Sequence, residues 1–398
     1  MTINPKFPVL LPTYKRTALS FIKGDGAYLF GNDGKKYLDF VSGIAVTAFG
    51  HNHPHLLRAL FKQAELLWHC SNLFEIPDQN RLATRLVENS FAESVFFSNS
   101  GVEAIECGFK ILRKYYDEIG QPQRYRLITF EGAFHGRTLA ALAATGQEKY
   151  SKGYDPVVDG FDQIAFGNLN ELRAAIRPET AGILFEPVQG EGGMRSLSAD
   201  YLREVRKIAD EFGLLLFLDE IQCGMGRTGK LFAHEWAGIK PDIVAVAKGL
   251  GGGFPIGACL TTAKVGAVMQ AGSHGTTFGG NPLAMAVGNA ALDILLGPGF
   301  LSQVVKIGDY MHQQLEKLLA RFPKILASVR GKGLMIGLKC HVANTEFVDQ
   351  LRANGLLTVI AGDNVVRFLP PLIITEQHVD EAIKIIALTC QQLALKSK

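Results

Sequence analysis

No uninterrupted apolar run in this chain approaches membrane-spanning length, so no transmembrane helix and no membrane partner are expected. The six cysteines (Cys70, Cys107, Cys223, Cys259, Cys340 and Cys390) include no C-x-x-C pair and read as buried reduced thiols, not as a disulfide frame. An excess of one charge is missing too: 41 basic residues against 38 acidic ones leave +3. With no Lys/Arg block and no aromatic–basic interleaving, nucleic acid is not an expected partner. The opening residues Met1–Lys6 lack the apolar core of a secretory leader, so a cytoplasmic location is expected. Repeats, low-complexity tracts and Pro/Ser-rich linkers are also lacking, which predicts lobes packed against one another.

What is present is a chain of 398 residues, 47% of them hydrophobic, enough for a sizeable core and more than one lobe. Its 43 glycines fit a fold with many tight turns and close backbone approaches. Residues 27–40 alternate and turn at Asn32-Asp33-Gly34, a hairpin signal. From Val95 to Gly257, short apolar runs alternate with helical stretches such as Tyr201–Phe212, which predicts a mostly parallel sheet covered by helices. Beyond Gly280, helical patterns over Pro282–Leu296 and onward from Leu301 lead to a smaller α/β lobe. Its strands are expected near Gly333–Leu338 and Val365–Leu369.

The most informative stretch runs from Leu214 to Gly253. Leu214–Leu218 is an apolar run suited to a strand buried on both faces, and it ends in Asp219-Glu220. Open α/β sheets place ligands at such carboxyl ends. A second apolar run, Ile243–Ala247, delivers Lys248 ahead of a glycine run. That lysine is either an ordinary cation or an amine nucleophile able to form a Schiff base. Together the aspartate and the lysine suit the two ends of pyridoxal phosphate, whose ring nitrogen takes a carboxylate and whose aldehyde takes an amine.

Other segments carry the same chemistry. Ser98–Ala104 joins the strand Val95–Phe97 to a helix, and its small residues allow backbone N–H groups to approach a phosphate; a simple N-cap is the plain alternative. Phe134-His135-Gly136-Arg137 follows the strand Tyr125–Phe130 with an aromatic to cover a ring and an arginine to clamp a carboxylate. Thr276–Pro282 adds hydroxyls and glycines of the kind found around phosphates.

In this order the segments Asn99–Ala104, Phe134–Arg137, Glu186–Gly193, Asp219–Gln222, Gly224–Gly229, Lys248 and Thr277–Pro282 resemble the class III aminotransferases of PLP fold type I, over nearly the whole chain. Phe40–Val46, Gly50–Pro54 and Ser71–Phe74 are especially similar to the acetylornithine branch of that family. The resemblance implies an α/β fold: a large domain with a mostly parallel sheet flanked by helices, plus a smaller α/β domain. The expected division is an N-terminal segment at 1–60 contributing to the small domain, a cofactor-binding domain at 61–290 and a C-terminal small domain at 291–398. The implied cofactor is pyridoxal 5′-phosphate, and the implied assembly is a homodimer with shared active sites.

Residue by residue, the resemblance makes Lys248 the amine bonded to the cofactor and the proton shuttle, and Asp219 the partner of the pyridinium nitrogen. Gln222 would reach the phenolic oxygen, Phe134 and Ile221 would enclose the ring, and Glu220 would border it. Gly101 and Val102 would give N–H groups to the phosphate, and Thr277 would reach it from the neighbouring subunit. For substrate, Arg137 would hold a carboxylate, Thr276 would lie beside the acyl-amino group, and Tyr14 would border the pocket. Arg367 would bind a second carboxylate, and Glu191 would pair with it when the substrate has none. The reaction implied is transfer of the δ-amino group of an acyl-ornithine to 2-oxoglutarate, giving glutamate, within arginine biosynthesis. Succinylornithine, ornithine, 4-aminobutyrate and succinyl-diaminopimelate are the rival amines, because methylene-scale discrimination is weak.

Some positions depart from the family pattern. Val102 stands where most relatives have threonine, so a backbone N–H survives there and a hydroxyl does not. Thr13-Tyr14-Lys15-Arg16 replaces the usual Tyr-Asn-Arg, and Pro370-Pro371 is more similar to ornithine enzymes. Two readings from other classes remain: a nicotinamide-dependent oxidoreductase using the glycine runs, and a noncatalytic binding protein on the same fold. His51-Asn52-His53-Pro54-His55 invites a metal reading, but Pro54 breaks helical spacing and a capped turn is expected; no metal is expected.

Overall fold

The structure, a computed structural model, describes residues 8–396. The opening residues read above for a leader lie outside them. At its centre is a seven-stranded sheet in the order Ser94–Ser98, Gly257–Thr261, Ile243–Val246, Leu215–Asp219, Thr180–Phe185, Arg126–Phe130, Phe161–Ile164. Six strands point the same way, and Gly257–Thr261 runs against both its neighbours. The apolar run around Leu216 becomes a central strand in register with Gly182–Phe185 on one side and Ile243–Ala245 on the other. Alternate side chains enter different cores: Leu216 and Leu218 join one cluster, Leu215 and Phe217 the other. That two-sided burial is why the run is apolar throughout instead of alternating.

Helices cover the sheet for reasons visible in their ends. Ala199–Phe212 starts at Ser198, whose hydroxyl accepts from Tyr201 N–H, and stops at Gly213 with φ 61°. Its buried residues Leu202, Val205, Ile208 and Ala209 recur at helical spacing on the face toward the sheet. Gly101–Glu118 lies so close to the central strand that a Cβ on Gly108 would sit 2.2 Å from the Phe217 ring.

The hairpin forms as Tyr28–Gly31 paired with Lys36–Asp39, preceded by Phe21–Asp25. Its inner strand then pairs in parallel with Leu356–Leu357, so the amino-terminal strands are built into the carboxyl-terminal lobe. That lobe carries a second, antiparallel sheet in the order Leu326–Lys332, Met335–Cys340, Val365–Phe368, Val359–Ala361. Two helices, Pro282–Leu295 and Phe300–Arg321, lead into it. Among the described residues no single helix is long and apolar enough to cross a bilayer.

Candidate active site

Five of the co-directional strands end at one edge of the central sheet, and each hands a polar segment to it. Ser94–Ser98 leads to Asn99–Val102, Arg126–Phe130 to Phe134–Arg137, and Thr180–Phe185 to Glu186. Leu215–Asp219 ends in its aspartate, and Ile243–Val246 delivers Lys248. These segments line a cavity of about 430 Å³ together with Ile221, Gln222 and Glu191. The reversed strand also contributes, because its entry brings Phe254-Pro255-Ile256 to the same edge.

Lys248 is half-buried at this cavity, with a φ of 37° that side chains rarely adopt. Desolvation, followed by the Arg367 charge, pushes its ammonium down to about 8. A lysine with so low a value supplies neutral amine near physiological pH. Asp219 is buried and held on both oxygens: Oδ1 accepts from Ile221 N–H at 3.1 Å, and Oδ2 lies 2.8 Å from His135 Nδ1. An ionised carboxylate only accepts, so that histidine nitrogen is the donor. Among the described residues, His135 Nε2 is buried without a partner.

Glu186 is buried too, accepting from Phe134 N–H at 3.0 Å and Gly190 N–H at 3.4 Å. Burial raises its carboxyl well above the usual range, and the Asp219 charge adds to the effect. At the helix Gly101–Glu118, Ser100 Oγ accepts from Glu103 N–H, and Glu103 in turn accepts from Asn99 N–H at 2.5 Å. The N–H groups of Gly101 and Val102, first in the helix, have no intrahelical acceptor and lie at the cavity. Gly101 packs against Ile221, where a Cβ would approach within 2.7 Å and force that side chain to shift.

Arg367 reaches the cavity indirectly. It is buried in the strand Val365–Phe368, 2.7 Å from Glu191 Oε1, and its Nη1 donates to Gln222 Oε1 at 3.1 Å. Arg137 lies at the cavity, exposed, with its guanidinium over the rings of Tyr150 and Phe134.

Glu220, Thr276, Thr277 and Tyr14 do not line this chain's cavity, and Thr277 was expected at that of a neighbouring subunit. Glu220 faces away: its carboxylate accepts from the N–H groups of Ala233 and His234 and meets His234 Nδ1 at 2.7 Å. Thr276 Oγ1 is engaged with Gly279 N–H and Asn99 Nδ2, while Thr277 and Tyr14 are exposed away from this chain's cavity. The three histidines of the His51–His55 segment go separate ways. His51 meets Asp39 at 2.8 Å, His53 caps the helix Pro54–Ala64, and His55 meets Asp293 at 2.8 Å. Val46, Phe254 and Pro255 were not singled out from sequence, although Val46 closes one quoted stretch and Phe254 follows the glycine run.

A desolvated amine, a fixed carboxylate and free N–H groups at a helix start fit pyridoxal phosphate at its aldehyde, ring nitrogen and phosphate. Fold and site thus define a pyridoxal-phosphate-dependent α/β transferase. More narrowly, the chain belongs to the class-III aminotransferases, whose family model matches residues 11–389. It is 57% identical to the acetylornithine aminotransferase of Brucella melitensis over 99% of this chain and 97% of that one. It is 54% identical to that of Mesorhizobium japonicum, covering 97% and 96%. Among solved structures it resembles the N-acetylornithine aminotransferase of Stenotrophomonas maltophilia (37% identical, TM-score 0.84, covering 96% and 98%). It also resembles an ornithine aminotransferase of Toxoplasma gondii with partial PLP occupancy at its active site (30% identical, TM-score 0.93, covering 98% and 93%).

Proposed function

We propose that this aminotransferase moves the δ-amino group of N2-acetylornithine to 2-oxoglutarate, giving N-acetylglutamate 5-semialdehyde and glutamate, in arginine biosynthesis. The observation that carries the chemistry is Lys248 at the cavity with its ammonium pushed down to about 8, lining the same cavity as the fixed Asp219. The near-complete coverage by acetylornithine enzymes supports the choice of amine.

Pyridoxal phosphate, when bound, supplies an aldehyde that carries the amino group and a ring that withdraws electrons from the reacting carbon. Lys248 would hold the aldehyde and, once released, move the proton at the substrate's δ-carbon. Asp219, oriented by His135, would keep the ring nitrogen protonated. The N–H groups of Gly101 and Val102 would hold the phosphate, with Phe134 and Ile221 on either side of the ring and Gln222 at its phenolic oxygen. Arg137 would bind the substrate carboxylate through its fork. Glu191 would neutralise Arg367 while acetylornithine is bound and give it up to the second carboxylate of 2-oxoglutarate.

The working unit in this reading is a homodimer in the cytoplasm. Its support is a set of exposed large apolar side chains, among them Leu66, Trp68, Leu73, Phe74 and Phe278, the last next to Thr277 in sequence. Asn72 ties the Leu73 and Phe278 segments together by donating to the carbonyls of Gly279 at 2.9 Å and Thr276 at 3.4 Å. Six free cysteines suit a reducing compartment. Mixing Lys248→Ala chains with Thr277→Ala chains tests the shared site. Recovery of activity above that of either variant alone supports it, and no recovery in proven heterodimers contradicts it.

A further inference from the structure

We propose that Tyr150 is a positioning residue for substrate carboxylates, acting through Arg137; the proposal rests on the reading of Arg137 as the carboxylate clamp. The Arg137 guanidinium carbon lies 4.2 Å from the Tyr150 ring centroid and 5.5 Å from that of Phe134. The two rings meet edge to face, with centroids 5.7 Å apart and planes at 78°. Arg137 makes no hydrogen bond and no ion pair among the described residues, so these aromatic rings are its partners.

That arrangement suits a clamp. A ring contact uses none of the guanidinium's N–H donors and leaves them open for a two-point contact with a carboxylate. An ion pair would have held Arg137 as firmly, but a competing carboxylate would have to be displaced by each substrate. A ring restrains the side chain without competing for its donors, so less freedom is lost when substrate binds.

The ring is itself fixed to the loop it serves. Tyr150 lies in the short helix Glu148–Ser151, and the residue before that helix, Gln147, donates through Nε2 to Ala133 O at 2.6 Å. This bond joins the Tyr150 segment to the loop that carries Phe134 and Arg137. Lys149 Nζ stands 4.5 Å from the same ring and adds a second positive charge beside the clamp.

The test is steady-state kinetics of the PLP-loaded enzyme with 2-oxoglutarate varied, on Tyr150→Leu, Tyr150→Phe, Arg137→Ala and the Tyr150→Leu/Arg137→Ala pair. Losing the ring face should raise KM for 2-oxoglutarate by about three- to thirtyfold, the scale of a cation–π contact, with kcat within about twofold. Tyr150→Phe should restore KM to within about twofold of wild type, since the face and not the hydroxyl is used. The double variant should be no worse in KM than Arg137→Ala alone, as expected for one residue acting through another. A normal KM in Tyr150→Leu, a fall in kcat alone, or a Phe variant as impaired as the Leu variant would overturn the proposal while leaving Arg137's role standing. A normal KM in Arg137→Ala would overturn both.

Discussion

Glu191 closes on Arg367 at 2.7 Å, joining a loop at the end of the central sheet to a strand of the carboxyl-terminal lobe. Arg367 is almost wholly buried, and among the described residues the only other side-chain hydrogen bond found for it goes to Gln222 at 3.1 Å, while its Nε has no partner there. An ionised guanidinium in such a place needs a negative partner, because a buried charge left alone is strongly destabilising. In the proposed reading, one pocket would thereby accept either an amine lacking a second carboxylate or a diacid that supplies its own.

Glu191→Gln keeps the shape and removes the charge. Arg367 then favours a carboxylate from substrate at all times. The ratio of kcat/KM for 2-oxoglutarate to that for acetylornithine should rise by roughly tenfold, the scale of one charge-assisted hydrogen bond. An unchanged ratio would separate this pair from substrate choice.

Much of this site was legible because catalytic side chains of an open α/β sheet gather where co-directional strands end, and those ends are marked by a polar residue after an apolar run. Lys248 and Asp219 were read that way, Phe134 as an aromatic after a strand and Gly101 from the small residues at a helix start, and all four line the cavity. Glu220 was not placed correctly by the same signal. Successive residues leaving a strand point to opposite sides, so Asp219 at the cavity sends its neighbour to His234. Contacts between distant segments were out of reach as well: nothing local to His135 announces that it meets Asp219. The reversed direction of Gly257–Thr261 was hidden for a similar reason, since an apolar run has the same pattern whichever way it pairs. Tyr150 belongs to no motif and is visible only through the ring geometry around Arg137.

The protonation of Lys248 predicts a pH-dependent stability. Its value falls from 10.5 to about 8 in the folded chain. Between these limits the unfolded chain holds more protons, so this site's contribution to stability rises with pH across that window and is lost as pH falls through about 8. Lys248→Met removes the titration. Without cofactor, the variant should be more stable than wild type near neutral pH by about 1–2 kcal/mol, less than the full shift because the amine faces the cavity. Urea unfolding should show that gap closing as pH approaches about 10. A gap independent of pH would contradict the shift.

The closeness of the helix Gly101–Glu118 to the central strand makes a second stability prediction. A methyl at Gly108 would meet the Phe217 ring at 2.2 Å. Gly108→Ala should cost about 1–3 kcal/mol through overpacking. Adding Phe217→Leu should recover part of that loss, since the two residues share one space. Additive losses in thermal unfolding would show that they do not.

The most direct test of the central claim is a half-reaction on the PLP-loaded enzyme, following the absorbance of the lysine-bound cofactor without any acceptor present. The account predicts rapid bleaching by N2-acetylornithine, return of the band on adding 2-oxoglutarate, and neither change in Lys248→Ala. Bleaching by ornithine or 4-aminobutyrate with no response to N2-acetylornithine would contradict the proposed donor. A Lys248→Ala enzyme that still turned over at the wild-type rate would contradict the chemistry itself.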